Sequence, residues 1–163
     1  MPNITIYTDG SYRRINDTGG WACLIVDENS DSEIILYGSV TKTTSNRMEM
    51  VAVINALEYV NSKYGRDCTI TVNTDSKYIE SPINKKYLYS WIDSGFAGKK
   101  NIDLWVKLYG FMNRFDIKFN WVRGHDGNTN NELVNYYAGL VCDENFNTEL
   151  SFTIRRRKND KYK

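Results

Sequence analysis

Two stretches of this chain end alike, and the repetition limits what it can fold into more than any other feature does. Ile4-Thr5-Ile6-Tyr7-Thr8-Asp9-Gly10-Ser11 and Thr69-Ile70-Thr71-Val72-Asn73-Thr74-Asp75-Ser76 are both rich in β-branched residues, and both close on Thr-Asp and a tiny residue. Such runs read as strands. If the two strands lie side by side and parallel, Asp9 and Asp75 meet at their carboxyl ends, where open α/β sheets bind ligands. Two carboxylates in one cleft repel each other unless a cation lies between them. A hard divalent ion such as Mg²⁺ suits an all-oxygen site. Gly10, lacking a Cβ, lets a backbone, a metal or a phosphate come close.

The rest of the chain supplies a frame for these strands. Trp21–Val26 and Ile34–Val40, joined by the polar turn 27–32, continue the first strand as an antiparallel meander. From Ser45 to Lys63 the period changes, with Met50, Val53, Ile54, Leu57 and Val60 at helical spacing. Glu49 falls along the edge of that buried stripe, where a carboxylate needs a partner. After Asp75 a short helical piece is expected to stop before Pro82, and aromatic residues then crowd 87–96. An amphipathic helix runs from Asn101 to Arg114, and 117–122 alternates as a last strand. A final helix spans about Asn131 to Glu144, with Asn135, Ala138, Gly139 and Cys142 on one narrow face.

Charge and cysteine content exclude several classes. With 21 Lys+Arg against 20 Asp+Glu, the net charge of +1 gives no overall basic field, so nucleic-acid affinity has to come from local patches. The three cysteines are far apart and have no metal-ligand spacing, which points to a reducing compartment. No apolar run approaches the ~20 residues of a membrane span. The first strand begins almost at Met1, leaving no room for a signal peptide. A soluble, intracellular chain is expected, in the cytoplasm or the nucleus or nucleoid.

Five motifs now stand in order: Tyr7-Thr8-Asp9-Gly10-Ser11; Thr44-Ser45-Asn46-Arg47-Met48-Glu49; Asn73-Thr74-Asp75-Ser76-Lys77-Tyr78; Asn101-Ile102-Asp103-Leu104-Trp105; and Gly124-His125-Asp126-Gly127 through Asn131-Glu132. Together they resemble the motif set of type 1 ribonuclease H. The resemblance implies an α/β fold, a five-stranded mixed sheet of antiparallel meander plus parallel strands flanked by helices. It implies a catalytic domain over 1–148, followed by a basic, mobile tail over 149–163 that includes Arg155-Arg156-Arg157-Lys158. It also implies a monomeric endoribonuclease that hydrolyses the RNA strand of RNA–DNA hybrids with two Mg²⁺ ions, for which Mn²⁺ substitutes. Asp9 would bridge the ions, Glu49 and Asp75 would each favour one side, and His125 would serve proton traffic or product release. Lys42, Thr44 and Asn101 match a pocket for a DNA phosphate. Gly10, Ser11, Ser45 and Asn46 match minor-groove contacts, and Lys77 and Asn131 are further substrate-facing positions. Tyr87 and Trp91 match positions along the DNA sugars, though ordinary core packing accounts for them nearly as well.

Two departures stand out. The fourth carboxylate of the set, three residues after Glu132, is here Asn135. Its amide oxygen can ligate a metal but brings no charge. Either a natural variant with weakened metal binding or a deliberate change that traps substrate accounts for it, and the intactness of the other motifs favours the second. The basic protrusion of the family is also reduced to Lys99 and Lys100 after a shortened loop. A non-catalytic hybrid-binding module and an integrase- or resolvase-type nuclease are the competing readings. Three surviving carboxylates count against the first, and the hybrid-contact motif Thr44–Asn46 counts against the second.

Overall fold

The alternation in the first strand decides the layers. β1 (Asn3–Arg13) sends Ile4 and Ile6 into one buried cluster, while Tyr7 packs on another across the sheet. The computed structural model describes residues 1–30, 32–124, 127–143 and 151–156, and for Ser32 and 151–156 the backbone alone. β2 (Thr18–Asp27) and β3 (Ser32–Thr41) follow β1 as the expected antiparallel meander. α1 (Ser45–Tyr64) then crosses to β4 (Thr69–Thr74), which lies parallel to β1. After α2 (Lys77–Asn84), α3 (Leu88–Asp93) and α4 (Ile102–Arg114), β5 (Asp116–Trp121) pairs parallel with β4. α5 (Thr129–Asp143) follows, and β6 (Ser151–Arg156) completes a sheet of order β5-β4-β1-β2-β3-β6.

Each face of the sheet has its own cover. Ile4, Ile6, Cys23, Ile25, Ile34 and Leu36 pack with the apolar stripe of α1 and with Leu104, Trp105 and Leu108 of α4. Fully burying side chains of this size stabilises by about 1.5–3 kcal/mol each. On the other face Ala22, Leu24, Val26 and Ile35 meet Val134 and Ala138 of α5. Gly20 permits that approach, since a Cβ there would run into the Ala138 carbonyl. Among the described residues, no helix is long and apolar enough to cross a membrane.

Two expectations need correction. α2 does not stop before Pro82 but carries it, buried, to Asn84. Proline removes one backbone donor and crowds the carbonyl four residues back, and so late in a short helix the rest of the ladder is untouched. The second correction concerns the C-terminus. Residues 151–156 are not a mobile tail but a sixth strand, pairing antiparallel with β3 so that Ile154 stands opposite Ile34, Phe152 opposite Leu36 and Arg155 opposite Glu33. The run of basic residues masks the alternation of Phe152 and Ile154 with Thr153 and Arg155. Arg157 and Lys158 lie outside the described residues. An uncovered β3 would present a long edge of unpaired N–H and C=O groups, a template for pairing with other chains. Deleting residues 149–163 is therefore expected to lower the melting temperature by several degrees and to cause concentration-dependent association. Calorimetry and light scattering check this, and no change in either would show that β6 protects nothing.

Candidate active site

The pairing of β1 with β4 runs from Asn3 opposite Thr69 to Tyr7 opposite Asn73. Carried two residues further, that register sets Asp9 across from Asp75. Several bonds hold the end of β4 in place. Val122 N donates to Thr74 O at 2.9 Å, Ser76 N to Thr74 Oγ1 at 3.1 Å, and Trp121 Nε1 to the Asp75 carbonyl at 3.1 Å. Sequence reading passed over Trp121, whose half-exposed ring also carries the Lys77 ammonium 4.1 Å from its centroid.

Glu49 reaches the same place from the first turn of α1. Thr44 caps that helix, its Oγ1 accepting from Arg47 N at 3.2 Å. The helix start then lies directly on β1 at Gly10, where a Cβ would stand 2.6 Å from the Met48 carbonyl carbon and would strike Glu49 N as well. The absence of that side chain is what sets Glu49 beside Asp9. Carboxylate oxygens of Asp9, Glu49 and Asp75 all lie within 4.8 Å of one another. Asp9 and Glu49 are 4 % and 8 % exposed, whereas Asp75 is half-buried.

Burial, reinforced by the charges of Asp9 and Asp75 and by a hydrogen bond with Asp9, raises the Glu49 pKa well above the usual carboxylate range, against an opposing bond from the Gly10 backbone. Glu49 Oε2 is buried without a hydrogen-bond partner. A buried, partnerless oxygen facing two other carboxylates fits a cation that completes the group, and hard-oxygen ligands suit a divalent one. The folded pKa of Glu49 lies above its unfolded value, so its contribution to stability is full below the unfolded pKa and is lost as pH rises through the folded one. Glu49→Gln in metal-free buffer is therefore expected to raise the melting temperature near neutral pH by about 3 °C, with the gain vanishing below pH ~4.5. Thermal scans across pH with a chelator check this; a lower melting temperature at pH 7 would contradict it.

Residue 135 approaches from the other face. Odd-numbered β1 residues share the α5 side, and α5 runs along them. Cys142 Sγ lies 2.9 Å from the Thr18 carbonyl, Ala138 packs on Gly20, and Asn135 joins Ser11 and Arg13 in lining a cleft of about 500 Å³. One turn earlier Asn131 is 3 % exposed; its N–H donates to Asn128 Oδ1 at 2.9 Å, and its own Oδ1 is buried without a partner. Arg13, which sequence reading did not single out, forms an ion pair with Asp143 at 2.8 Å and donates to Ser11 Oγ at 2.9 Å. Exposed pairs of this kind contribute about 0–1 kcal/mol. His125 and Asp126 lie outside the described residues. Gly124, just before them, is packed against Asp75, 3.0 Å separating an added Cβ from Oδ2.

A second cleft, of about 450 Å³, opens at the other end of the α1 N-terminus and is lined by Thr44, Asn46, Trp91, Lys99, Lys100 and Asn101 among others. It brings together Thr44 and Asn101 as expected, whereas Lys42, in a left-handed conformation at the end of β3 (φ 55°), is not among its lining residues. Asn101 is itself left-handed (φ 61°) and doubly held: its Nδ2 donates to the Tyr78 hydroxyl at 2.9 Å and its Oδ1 accepts from Arg47 Nη1 at 3.2 Å. Arg47 also grips Asp103 through two bonds of 3.0 and 2.8 Å, and the bond holds the Asp103 carboxyl below its usual range. Trp91 lies under Lys99, whose Nζ is 4.5 Å from the ring centroid, and edge-on to Trp105. Trp91 thus packs on the core while lining the cleft, and Tyr87 is 40 % exposed.

Comparison with known proteins places this geometry in a family. A family model described as RNase H matches residues 1–142. A ribonuclease H of Oleidesulfovibrio alaskensis is 40% identical over 143 residues, 85% of this chain and 89% of the relative. Another, of Alcanivorax borkumensis, is 38% identical over 149 residues, 88% of this chain and 94% of the relative. Among solved structures, LC9-RNase H1, a type 1 RNase H with the type 2 active-site motif, superposes with a TM-score of 0.81 at 23% identity, covering 99% of this chain and 81% of that one. LC11-RNase H1 in complex with RNA/DNA hybrid gives 0.63 at 24% identity, over 85% and 98%.

Proposed function

The chain belongs to the ribonuclease H family, and from that premise we propose that it hydrolyses the RNA strand of RNA–DNA hybrids with two Mg²⁺ ions, acting as a monomer inside the cell. One observation carries the proposal: three carboxylates from β1, α1 and the end of β4 converge, with a buried Glu49 oxygen left for a cation. Asp9, Glu49, Asp75 and the Asn135 amide oxygen are the groups that would hold the ions. When bound, such ions activate a water and stabilise the leaving oxygen of a phosphodiester; Mn²⁺, which binds a given N/O site more tightly, substitutes.

The chain's own residues do the rest. Asp9 and Glu49 are themselves shielded from bulk water, and the Trp121 and Val122 bonds fix the backbone on which Asp75 stands. His125, which lies outside the described residues, is assigned proton traffic or product release. Thr44 Oγ1 spends its lone pair on the helix cap but keeps its hydroxyl proton for a DNA phosphate, beside Asn101, Lys99 and Lys100. Gly10, Ser11, Ser45 and Asn46 are assigned to the minor groove, where contacts to 2′-hydroxyls let a protein tell RNA from DNA.

Asn135 favours a second reading, a hybrid-binding module that no longer cuts. Incubation with RNA–DNA hybrid, RNA duplex and DNA duplex, each with Mg²⁺ and with Mn²⁺, separates the two. Metal-dependent cleavage of the hybrid's RNA strand alone is expected. Tight hybrid binding without cleavage in either metal would establish the binding module.

A further inference from the structure

We propose that Arg13 grips a phosphate of the RNA strand beyond the scissile one, and that Asp143 sets the strength of that grip. The inference rests on the hybrid-cleaving reading above. Asp9, Ser11 and Arg13 alternate onto one face of β1, so they form a line leading away from the carboxylates. Four residues of strand place Arg13 about 13 Å from Asp9, too far for the phosphate being cut and so suited to a different phosphate of the substrate.

The place is built for a polyanion with a sugar attached. Among the described residues lining the cleft of about 500 Å³, Arg13 is the one cation. Ser11 and Asn135 add polar groups to its floor, and Tyr136, 60% exposed, offers a ring at its rim. Gly139 lies close to the guanidinium without crowding it, since a Cβ there would make only ordinary contact with Arg13 Nη2 at 3.9 Å. The guanidinium is held in the cleft by Ser11 Oγ, and a planar fork of five donors matches phosphate oxygens as it matches a carboxylate.

Asp143 occupies that fork in the free chain, at 2.8 and 3.5 Å from Nε and Nη2. Both partners are about half exposed, 43% and 57%, so the pair exchanges readily with an arriving anion. The carboxylate therefore competes with the phosphate, and the two residues act on affinity in opposite directions.

That opposition is the test. Steady-state hybrid cleavage is measured for the parent, Arg13→Gln, Arg13→Lys and Asp143→Asn, with melting temperatures alongside. Arg13→Gln is expected to raise KM about tenfold with kcat within about twofold, and to reduce the log–log salt slope of kcat/KM by about 0.9. Arg13→Lys restores part of the loss. Asp143→Asn lowers KM about threefold, although it breaks the same ion pair, so a role confined to stability would move both variants the same way. The Arg13→Gln effect is expected to persist on hybrids with single neutral methylphosphonate linkages scanned along the DNA strand, and its disappearance at one of them would assign the contact to DNA and overturn the inference. Unchanged KM in both variants of a cleaving parent would overturn it while leaving the activity intact. A parent that cleaves no hybrid would remove the proposed function and this inference with it.

Discussion

Asp9→Asn is expected to reduce metal-dependent cleavage of an RNA–DNA hybrid by about 10³-fold, equivalent to about 4 kcal/mol of transition-state stabilisation. The size follows from its position. Asp9 lies with Glu49 and Asp75 in one cluster, on a strand paired on both sides, and would be a ligand of the ions. The substitution keeps the side-chain shape and removes one of three mutually repelling charges, so the fold should be retained and the metal-free melting temperature should not fall. Hybrid affinity should also survive, because the groove contacts are assigned to other residues. Rate, melting temperature and hybrid binding are measured together. Cleavage within tenfold of the parent would remove Asp9 from the centre of the chemistry.

The second large effect belongs to position 135. Asn135→Asp adds one unit of negative ligand charge to the site and is expected to raise the cleavage rate in Mg²⁺ about tenfold or more, and to tighten Mg²⁺ binding in calorimetric titration. In metal-free buffer the variant should melt slightly lower, since four carboxylates repel more than three. The parent, by contrast, should be slow in Mg²⁺ and partly rescued by Mn²⁺. Asp126, two residues after Gly124 in the sequence, is an alternative source of charge, and Asp126→Asn tests it. Equal rates and equal metal affinities for the parent and Asn135→Asp would mean that residue 135 does not serve the metals.

How much of this was legible in the sequence depended on how locally each feature is encoded. The strand-end aspartates were readable because parallel register and a shared Thr-Asp ending are both patterns in the chain, and α1 announced itself by its apolar period. Glu49 was placed at the edge of a buried stripe, but its contact with Asp9 depends on Gly10 admitting the helix backbone, which no single-element pattern reveals. β6 was missed because its charge outweighed its alternation, and because its partner, β3, lies far away in sequence. Arg13 escaped notice for a similar reason. One arginine of the Arg13-Arg14 pair has no signal until α5 brings Asp143 and Asn135 to it.

The order in which the strands are made adds a consequence of its own. During synthesis Asp9, Glu49, Asp75 and Asn135 all leave the ribosome before Ser151, so the cleft can assemble on a nascent chain whose sheet is still incomplete. The last strand then docks on one of the earliest, a pairing of high contact order and so a slow one. Between those two moments β3 lacks its last partner strand, and a slow or stalled exit of residues 151–156 lengthens that interval.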